Sequence, residues 1–336
     1  MSIRVTLKQV AAEAGVSFQT VSKVINGNSK VAPETEGRIW RAVRALGYQP
    51  DALARNLKSR RSRMLAYSWA PLPPDQPNPI LDQFLRSMMQ AATRAGYHIL
   101  PFPHPDEGHN LSPYRDLGHS GRVDGFIISS IKYDDPRIAF LQEQGFPFVA
   151  FGRSNPGCEF PFVDVDGAAG LRLATEHLLL RGHRRIAALA WPEESRVGQN
   201  RIEGYFEALR AAGLGVREDW IARGEGRVAF GHAATRRWLD GPNRPTALVA
   251  LNDLMAIGAL RAAQERGLRV PDDLAITGFD DVPMAQYLTP PLTTIRQPIW
   301  EVGQQVIAIL IGILEGSPPT NAHELLQPEL VVRASS

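Results

Sequence analysis

The chain has 336 residues, and its 37 Lys and Arg residues nearly balance its 35 Asp and Glu residues. Its single cysteine, Cys158, excludes an internal disulfide and a metal site built from several thiolates. Because the sequence has neither an apolar run of about 18 residues nor a signal-peptide core, we expect a cytoplasmic protein rather than a membrane or exported one.

Charge is divided unevenly along the chain. Up to Arg63 there are 12 Lys or Arg residues against 4 acidic ones, a net charge of +8. The rest of the chain has 25 basic residues against 31 acidic ones, a net charge of −6. A basic head on an acidic body is typical of a nucleic-acid-binding module attached to a domain of another kind.

The basic head begins with a pattern of two short helices. Thr6 and Gln9 form a Thr-x-x-Gln capping box, which predicts a helix that ends at Gly15. Ser17 is a suitable N-cap for a second helix over Phe18–Ile25. Two helices joined by a tight, glycine-containing turn form a helix-turn-helix.

The outward side of the second helix has side chains that can read bases. Gln19 can make a bidentate pair with adenine, Lys23 can donate to guanine, and Phe18 can contact a thymine methyl group. On the helix pattern alone, a surface helix pair without a nucleic-acid role is an equally good interpretation. The basic charge of the head favours the DNA-binding interpretation.

A third helix is predicted from Pro33 to about Leu46, with Gly47 as its stop. Its inward row is predicted to be Ile39, Trp40, Val43 and Leu46. The next segment, 51–59, begins like a helix but has barely two turns. It is either a charged linker or a helix that forms only against a partner.

From Met64 onward, short apolar runs alternate with helical patterns, which indicates βα units and a parallel sheet. The predicted strands are 64–69, 99–102, 125–128, 148–151, 186–190, 247–251 and 275–279. The predicted helices are 79–95, 136–144, 167–181, 201–212, 231–239, 253–266 and 299–315. Because this body is longer than one ordinary sheet domain, we expect two α/β lobes.

The sequence carries no pattern for catalysis or metal binding. It lacks a Walker-type loop, a G-x-S-x-G motif and a convincing catalytic triad. His177 and His183 are six residues apart, which is not a metal-ligand spacing. We therefore expect a protein that is not an enzyme and that has no metal ion or cofactor.

Several ordered motifs give the chain a family resemblance. In the head they are 5–26, 33–48 and the run Ala52-x-Ala54-Arg55-x-Leu57. In the body they are Asn78-Pro79, 181–186, Asn252-Asp253, Gly278-Phe279-Asp280-Asp281 and 291–295. With these motifs the chain closely resembles the lactose-repressor (LacI/GalR) family of bacterial transcription regulators over nearly its whole length.

The resemblance implies a helix-turn-helix DNA-binding domain over 1–50 and a hinge helix and linker over 51–62. Leu57 of the hinge helix would wedge into the central minor-groove step of the DNA. Relatives often have Arg where this chain has Lys23, and Tyr or a small residue where it has Phe18, which leaves the operator sequence open. The residues expected to contact DNA are Thr6, Ser17, Phe18, Gln19, Thr20, Ser22, Lys23, Asn26, Tyr48, Ala54, Arg55, Leu57 and Lys58.

For the body the resemblance implies a two-lobed, periplasmic-binding-protein-like (type I) fold with parallel sheets. The N-terminal effector-binding lobe would comprise 63–162 plus 294–323, and the C-terminal lobe 163–293 plus 324–336. An effector would bind between the lobes, at the carboxyl ends of the strands. The expected effector contacts are Trp69, Gln76, Asp82, Arg153, Asp164, Trp191, Arg201, Asn252, Asp280 and Gln297.

Two of these residues, Trp69 and Trp191, end predicted strands, where an indole would offer a sugar ring a large apolar face and one N–H donor. Packing alone is the competing interpretation for each tryptophan. A simple ion pair is the competing interpretation for Arg201 and Asp280. Together with Asp82, the two tryptophans favour a carbohydrate effector over a purine.

These observations predict a homodimeric repressor of carbohydrate-utilisation genes, released from a pseudo-palindromic operator when a mono- or disaccharide binds the cleft. The chain ends without a heptad tail, which favours a dimer. Ile257 and Tyr287 match dimer-interface positions of the family, although a buried core role is an equally good interpretation for Ile257. Three alternatives stay open. They are a co-repressor mechanism in which the ligand tightens DNA binding, a regulator gated by a partner protein, and a sugar-binding module without DNA function.

Overall fold

The computed structural model describes residues 5–25, 31–48, 61–69, 71, 78–104 and 110–336. The chain divides into two units, Met1–Ser62 and Arg63–Ser336, and each has its own hydrophobic core. Among the helices of these described ranges, none is long and apolar enough to cross a membrane.

The described part of the first unit contains the helices α1 (Leu7–Ala14), α2 (Phe18–Ile25) and α3 (Pro33–Leu46). The capping box is present, because the Thr6 backbone N–H donates to Gln9 Oε1 at 2.7 Å and the Gln9 N–H donates to Thr6 Oγ1 at 3.4 Å. Gly15 ends α1 in the left-handed conformation, with φ 63°. Ser17 Oγ accepts from the Thr20 N–H at 3.1 Å at the start of α2. The predicted caps and stop are therefore confirmed.

The core of the first unit lies between the three helices and is built from Val10, Ala11, Ala14, Val21, Val24, Ile39, Ala42 and Tyr48. The prediction that Trp40 faces inward is wrong, because its side chain is 37% exposed. Ile39 and Ala42 set the buried face of α3, and Trp40 lies about 100° around the helix from Ile39. The indole N–H of Trp40 donates instead to Glu36 Oε1 at 3.4 Å.

Helices and strands alternate through the second unit. Its helices are α4 (Pro79–Arg94), α5 (Ser112–His119), α6 (Pro136–Glu143), α7 (Gly167–Leu180), α8 (Arg196–Ala211), α9 (Val228–Asp240), α10 (Asp253–Gln264) and α11 (Ile299–Leu314). Its strands are β1 (Met64–Trp69), β2 (His98–Pro103), β3 (Gly125–Ile128), β4 (Phe148–Phe151), β5 (Phe162–Val165), β6 (Ile186–Ala190), β7 (Ile221–Arg223), β8 (Ala247–Ala250), β9 (Ala275–Thr277), β10 (Thr294–Arg296), β11 (His323–Leu326) and β12 (Glu329–Val331). The predicted α/β fold class is confirmed.

Two parallel sheets organise this unit. The first has the strand order β11-β5-β4-β3-β1-β2 and the second has the order β7-β6-β8-β9, while β10 and β12 form an antiparallel pair. Apolar clusters that include residues of α9 and α10 on one side, and of α7 and α8 on the other, cover the second sheet. Because the strands of each sheet are parallel, their carboxyl ends share one edge, where ligands of open α/β sheets bind.

Strand pairing moves the expected lobe boundaries. β5 pairs with β4 and β11 pairs with β5, so both strands belong to the first sheet. β10 belongs with the second lobe, since isolated bridges join Thr277 to Thr293 and Asp280 to Arg296. The chain therefore crosses between the lobes after β5, after β10 and after β11, and the expected boundary residues Phe162, Thr293 and Glu324 lie within or next to these three strands. Strands of three or four residues carry too little periodicity for the sequence to locate these points.

The sequence patterns also miss short elements and one helix start. They do not indicate α5, β5, β7, β10, β11 or β12. The helix predicted from Arg201 begins earlier, at Arg196, because Ser195 caps it by accepting the Gly198 N–H at 3.1 Å. Ser195, six residues before the predicted start, is the signal in the sequence that marks the true one.

Glycines allow two helix pairs of the second lobe to approach closely. A Cβ on Gly204 of α8 would collide with the Ala168 carbonyl of α7, and a Cβ on Gly231 of α9 would collide with the Met255 carbonyl of α10. Gly258 of α10 meets the Val228 carbonyl in the same way. Backbone atoms cannot move aside as side chains can, so these contacts require glycine.

Gly204→Ala tests this packing. We expect it to lower the free energy of unfolding by about 3 kcal/mol, the upper end for overpacking, because the added methyl group meets backbone. Urea unfolding followed by circular dichroism measures the change. The matched control is Gly215→Ala, where no atom lies within 4 Å of the added Cβ. Equal stabilities of the two variants would contradict the packing argument.

Candidate functional site

The first candidate surface is the exposed face of α2. Val21 and Val24 point into the core of the first unit, whereas Gln19 and Lys23 are exposed and Phe18 is 48% exposed. An amide, an ammonium group and an aromatic ring therefore stand together on one side of the helix. These groups can pair with adenine, with guanine and with a thymine methyl group, respectively.

The other predicted DNA contacts in the first unit have structural roles of their own. The hydroxyl groups of Ser17 and Thr20 lie 2.8 Å apart within the N-terminal cap of α2, and Thr6 belongs to the capping box of α1. Ser22 is half-buried on α2. Tyr48 is buried among the helices, so its ring contributes to the core of the unit.

Some predicted contacts lie outside the described residues. They are Asn26, Ala54, Arg55, Leu57, Lys58 and Gln76. The hinge helix and its wedge therefore stay predictions.

The second candidate surface lies at the carboxyl ends of the strands of the second unit. Arg201 of α8 is its centre, because its Nη1 donates both to the Leu251 carbonyl at 2.5 Å and to Asp280 Oδ1 at 3.2 Å. Gln297 Nε2 donates to the same Asp280 oxygen at 2.7 Å. Arg201 and Asp280 thus form the ion pair that the sequence offers as a competing interpretation, and Gln297 is a third member of the group.

This polar group retains atoms that are free to bind a ligand. Arg201 Nε and Nη2 and Asp280 Oδ2 have no hydrogen-bond partner in the part of the chain that the structure describes, and none of them is fully buried. Both donors and an acceptor therefore remain within this one ion pair. Such a pairing can bind two neighbouring hydroxyl groups.

Two aromatic rings enclose the guanidinium group of Arg201. Its carbon lies 3.8 Å from the ring centroid of Phe279 and 4.9 Å from that of Trp191. The sequence patterns gave Phe279 no role, although it precedes Asp280 in a quoted motif. The indole N–H of Trp191 is buried against Gly226 and has no acceptor among the described residues, so Trp191 offers the site a ring face rather than a donor.

Asn252 is occupied by the protein itself. Its Oδ1 caps α10 by accepting the Met255 N–H at 2.9 Å, and its Nδ2 donates to the Gly226 carbonyl at 2.9 Å. A side chain on Gly226 would meet both Asn252 and Trp191. The structure therefore gives Asn252 a positioning role, in which it holds the loop beneath Trp191.

The first lobe contributes a second polar pair. Arg153 Nε donates to Asp164 Oδ2 at 2.7 Å, and Arg153 Nη2 approaches Asn200 Oδ1 of α8 at 3.5 Å. Burial raises the pKa of Asp164, and Arg153 acts in the opposite direction. No hydrogen bond, ion pair or ring contact between described residues joins Trp69 or Asp82 to either pair.

Behind Asp280 lies a buried carboxylate that the sequence patterns missed. Asp253 accepts from Thr294 Oγ1 at 2.5 Å and from the Val282 N–H at 2.8 Å. Gly278 makes room for it, because a Cβ there would collide with Asp253. Burial, followed by the charge of Asp280, raises the pKa of Asp253 well above its usual range.

The backbone at Asp280 is held in an unusual conformation. Asp280 has φ 118° and Asp281 has φ 50°, both in a region that residues with a side chain rarely adopt. Asp281 accepts from Arg296 at 2.7 Å and from Arg333 at 2.6 Å, which holds the turn in place. Burial raises the pKa of Asp280 to about 6, against the influence of Arg201 and Gln297.

For metal binding, no group of three or more His, Cys, Asp or Glu side chains among the described residues is suitably placed.

Comparison with known protein families gives two matches. Residues 6–51 match the model of bacterial regulatory proteins, lacI family. Residues 175–336 match the model of a periplasmic binding protein-like domain. The first match covers the helix-turn-helix, and the second covers the lobe that contains Arg201, Asn252 and Asp280.

Individual relatives match over nearly their whole length. The HTH-type transcriptional repressor CytR of Escherichia coli (strain K12) is 34% identical over 98% of this chain and 96% of its own. A structure of the transcriptional regulator CelR in complex with cellobiose is 34% identical, with a TM-score of 0.74, and covers 99% of this chain and 100% of that one. The lac repressor dimer bound to operator and the anti-inducer ONPF is 29% identical, with a TM-score of 0.85, and covers 99% of both chains.

The raised pKa of Asp280 provides a test of the site's electrostatics. Because the folded-state pKa lies above that of an exposed aspartate, the folded protein binds more protons than the unfolded chain between about pH 4 and about pH 6. The corresponding stability, about 3 kcal/mol, is present below that range and is lost as the pH rises through it. Asp280→Asn cannot ionise, so we expect wild type to lose stability relative to this variant across the range.

Urea unfolding at several pH values measures this difference. Asp116→Asn, at an exposed position of α5, is the control and should follow the wild-type pH profile. Parallel profiles for wild type and Asp280→Asn would refute the assignment.

Proposed function

The chain belongs to the lacI family of bacterial regulatory proteins, and we propose that it is a homodimeric repressor of carbohydrate-utilisation genes. It binds a pseudo-palindromic operator through α2 of each subunit and leaves the operator when a mono- or disaccharide occupies the cleft. The single observation that carries the sugar assignment is that an Asp280 acceptor and two Arg201 donors have no partner among the described residues, next to the ring of Trp191.

The proposal of operator binding rests on the exposed face of α2. A dimer with two-fold symmetry presents two such helices and reads two half-sites of a pseudo-palindrome. The lac repressor, which this chain resembles in fold, has been described as a dimer bound to operator. Lys23, Gln19 and Phe18 are the residues we assign to base contacts.

The proposal of a sugar effector rests on hydrogen-bonding groups and an aromatic ring that suit neutral polyols. Neighbouring sugar hydroxyl groups need both donors and acceptors, and the apolar face of a pyranose packs against an aromatic ring. CelR, a relative of similar length, has been described in complex with cellobiose. We assign Arg201, Asp280, Trp191 and Gln297 to sugar contacts, with Arg153 and Asp164 on the opposite lobe.

Release from the operator requires that the sugar bind one lobe arrangement more tightly than the other. The differential affinity sets the largest shift the sugar can cause, and couplings of about 1–3 kcal/mol are common. Two rival mechanisms use the same fold, namely a co-repressor that tightens operator binding and a partner protein that replaces the sugar. The sign of the operator response to ligand distinguishes the first, and the absence of any sugar response identifies the second.

Lys23→Ala tests the proposed recognition of operator bases by α2. We expect it to relax base preference at one position of each half-site by about 1–3 kcal/mol, because a lysine that donates to guanine discriminates against other bases. Binding to a library of single-base operator variants, at fixed salt, measures this preference. Lys8→Ala, an exposed lysine of α1, is the control and should leave the preference unchanged. A uniform loss of affinity over all sequences would make Lys23 a phosphate contact.

Arg201→Ala tests the proposed binding of a sugar effector in the cleft. Thermal unfolding of wild type against mono- and disaccharides and purines identifies the ligand, since a ligand at 100 times its Kd stabilises the folded state by about 2.7 kcal/mol. We expect the variant to lose both this stabilisation and release from the operator, but to keep operator binding. Arg210→Ala is the control, because Arg210 lies on α8 but pairs only with the exposed Glu203 among the described residues. A variant that still responds to the sugar would show that the cleft is misassigned.

A further inference from the structure

Arg196, the first residue of α8, joins the two lobes across the cleft. Its Nε donates to the Ser154 carbonyl at 3.0 Å, and its guanidinium carbon lies 5.7 Å from the ring centroid of Tyr133. Arg196 follows β6 of the second sheet, whereas Tyr133 and Ser154 follow β3 and β4 of the first. The contact therefore spans the two strand edges that face each other.

The partner of Arg196 is held firmly by its own lobe. Ser154 is 4% exposed, and its Oγ donates to the Lys132 carbonyl at 2.8 Å. This bond ties the loop after β4 to the loop after β3. Arg196 therefore meets an acceptor that is already positioned.

A second contact lies one helical turn further along α8. Asn200 approaches Arg153 at 3.5 Å, and Arg153 is the chain neighbour of Ser154. Residues four apart on a helix share one face, so Arg196 and Asn200 meet the 153–154 segment together. The cleft residue Arg201 follows directly after Asn200. The contacts of Arg196 and Asn200 with the 153–154 segment are therefore adjacent to the proposed sugar site.

Arg196 differs from the other arginines of the cleft. Arg153 pairs with Asp164 within the first lobe, and Arg201 pairs with Asp280 within the second. Among the described residues no carboxylate forms an ion pair with Arg196, and its interactions, including a longer-range one with the charge of Asp164, go to the opposite lobe. Its interactions therefore exist only while the lobes are close, whereas the two ion pairs survive separation.

We propose that Arg196 is a positioning residue that latches the lobes together and so sets the fraction of molecules whose cleft is assembled for ligand. The apparent affinity of a ligand falls in proportion to that fraction. Loss of the latch then weakens effector binding without removing an effector contact. The effector part of this inference rests on the proposed function, whereas the latch itself does not.

Hydrogen exchange of the full-length protein without ligand tests the latch. In Arg196→Gln we expect amides of 129–135 and 152–157 in the first lobe, and of 191–200 in the second, to exchange about tenfold faster than in wild type, which corresponds to about 1.4 kcal/mol. Arg210→Gln is the matched control on the same helix and should exchange like wild type. Faster exchange confined to 191–200 would indicate a frayed helix start and overturn the proposal, as would unchanged rates.

Titration calorimetry with the sugar found by the ligand panel tests the consequence. We expect Kd to rise in Arg196→Gln, with about tenfold as the upper limit set by the change in the lobe equilibrium, and Arg196→Lys, which keeps a donor for Ser154, to recover part of the loss. Unchanged affinity with faster exchange would overturn the link between latch and ligand. If no sugar binds wild type, the proposed function fails, and the exchange experiment still decides whether the latch exists.

Discussion

The second unit is organised around the cost of burying the guanidinium group of Arg201. Burial lowers its pKa, yet arginine keeps its charge in proteins, so the surroundings must compensate that charge. Asp280 and the Leu251 carbonyl do so by hydrogen bonding, and the rings of Phe279 and Trp191 do so through their electron-rich faces. This single group thereby fixes the ends of three strands of the second sheet relative to α8.

The same requirement explains the unusual turn after β9. Asp280 contacts Arg201 from a backbone with positive φ, and such a conformation persists only where its surroundings enforce it. Asp281 supplies that enforcement through Arg296 on β10 and Arg333 beyond β12. Asp253 adds a bond to Thr294 at the start of β10. The wall of the cleft is therefore tied directly to strands next to two of the lobe crossings. These bonds are a physical route by which a change at the cleft wall reaches those crossings.

Local signals in the sequence are sufficient for the caps and the stop of the first two helices and for most strands of the two parallel sheets. The capping box at Thr6, the N-cap at Ser17 and the stop at Gly15 depend on neighbouring residues alone, and the structure has all three. Features that depend on distant residues could not be read in this way. Trp191 directly follows a predicted strand, but its indole N–H packs against Gly226, a loop residue 35 positions later. The motif around Asn252 indicates a site, yet it does not show that capping of α10 occupies its amide.

For the proposed sugar effector, the internal pairing of charges decides which ligands fit. Arg153 and Arg201 each have a carboxylate partner within their own lobe, so a neutral ligand can use the remaining donors and acceptor without breaking an ion pair. An anionic ligand at Arg201 would compete with Asp280 and leave that buried carboxylate without its partner, which is costly. Among the described residues Arg196 has no such ion pair, and its side chain makes contacts that need the lobes to be close. In the proposed mechanism, recognition thus depends on the two ion-paired arginines and closure depends on Arg196, and this division of roles would let a neutral polyol influence the lobe arrangement.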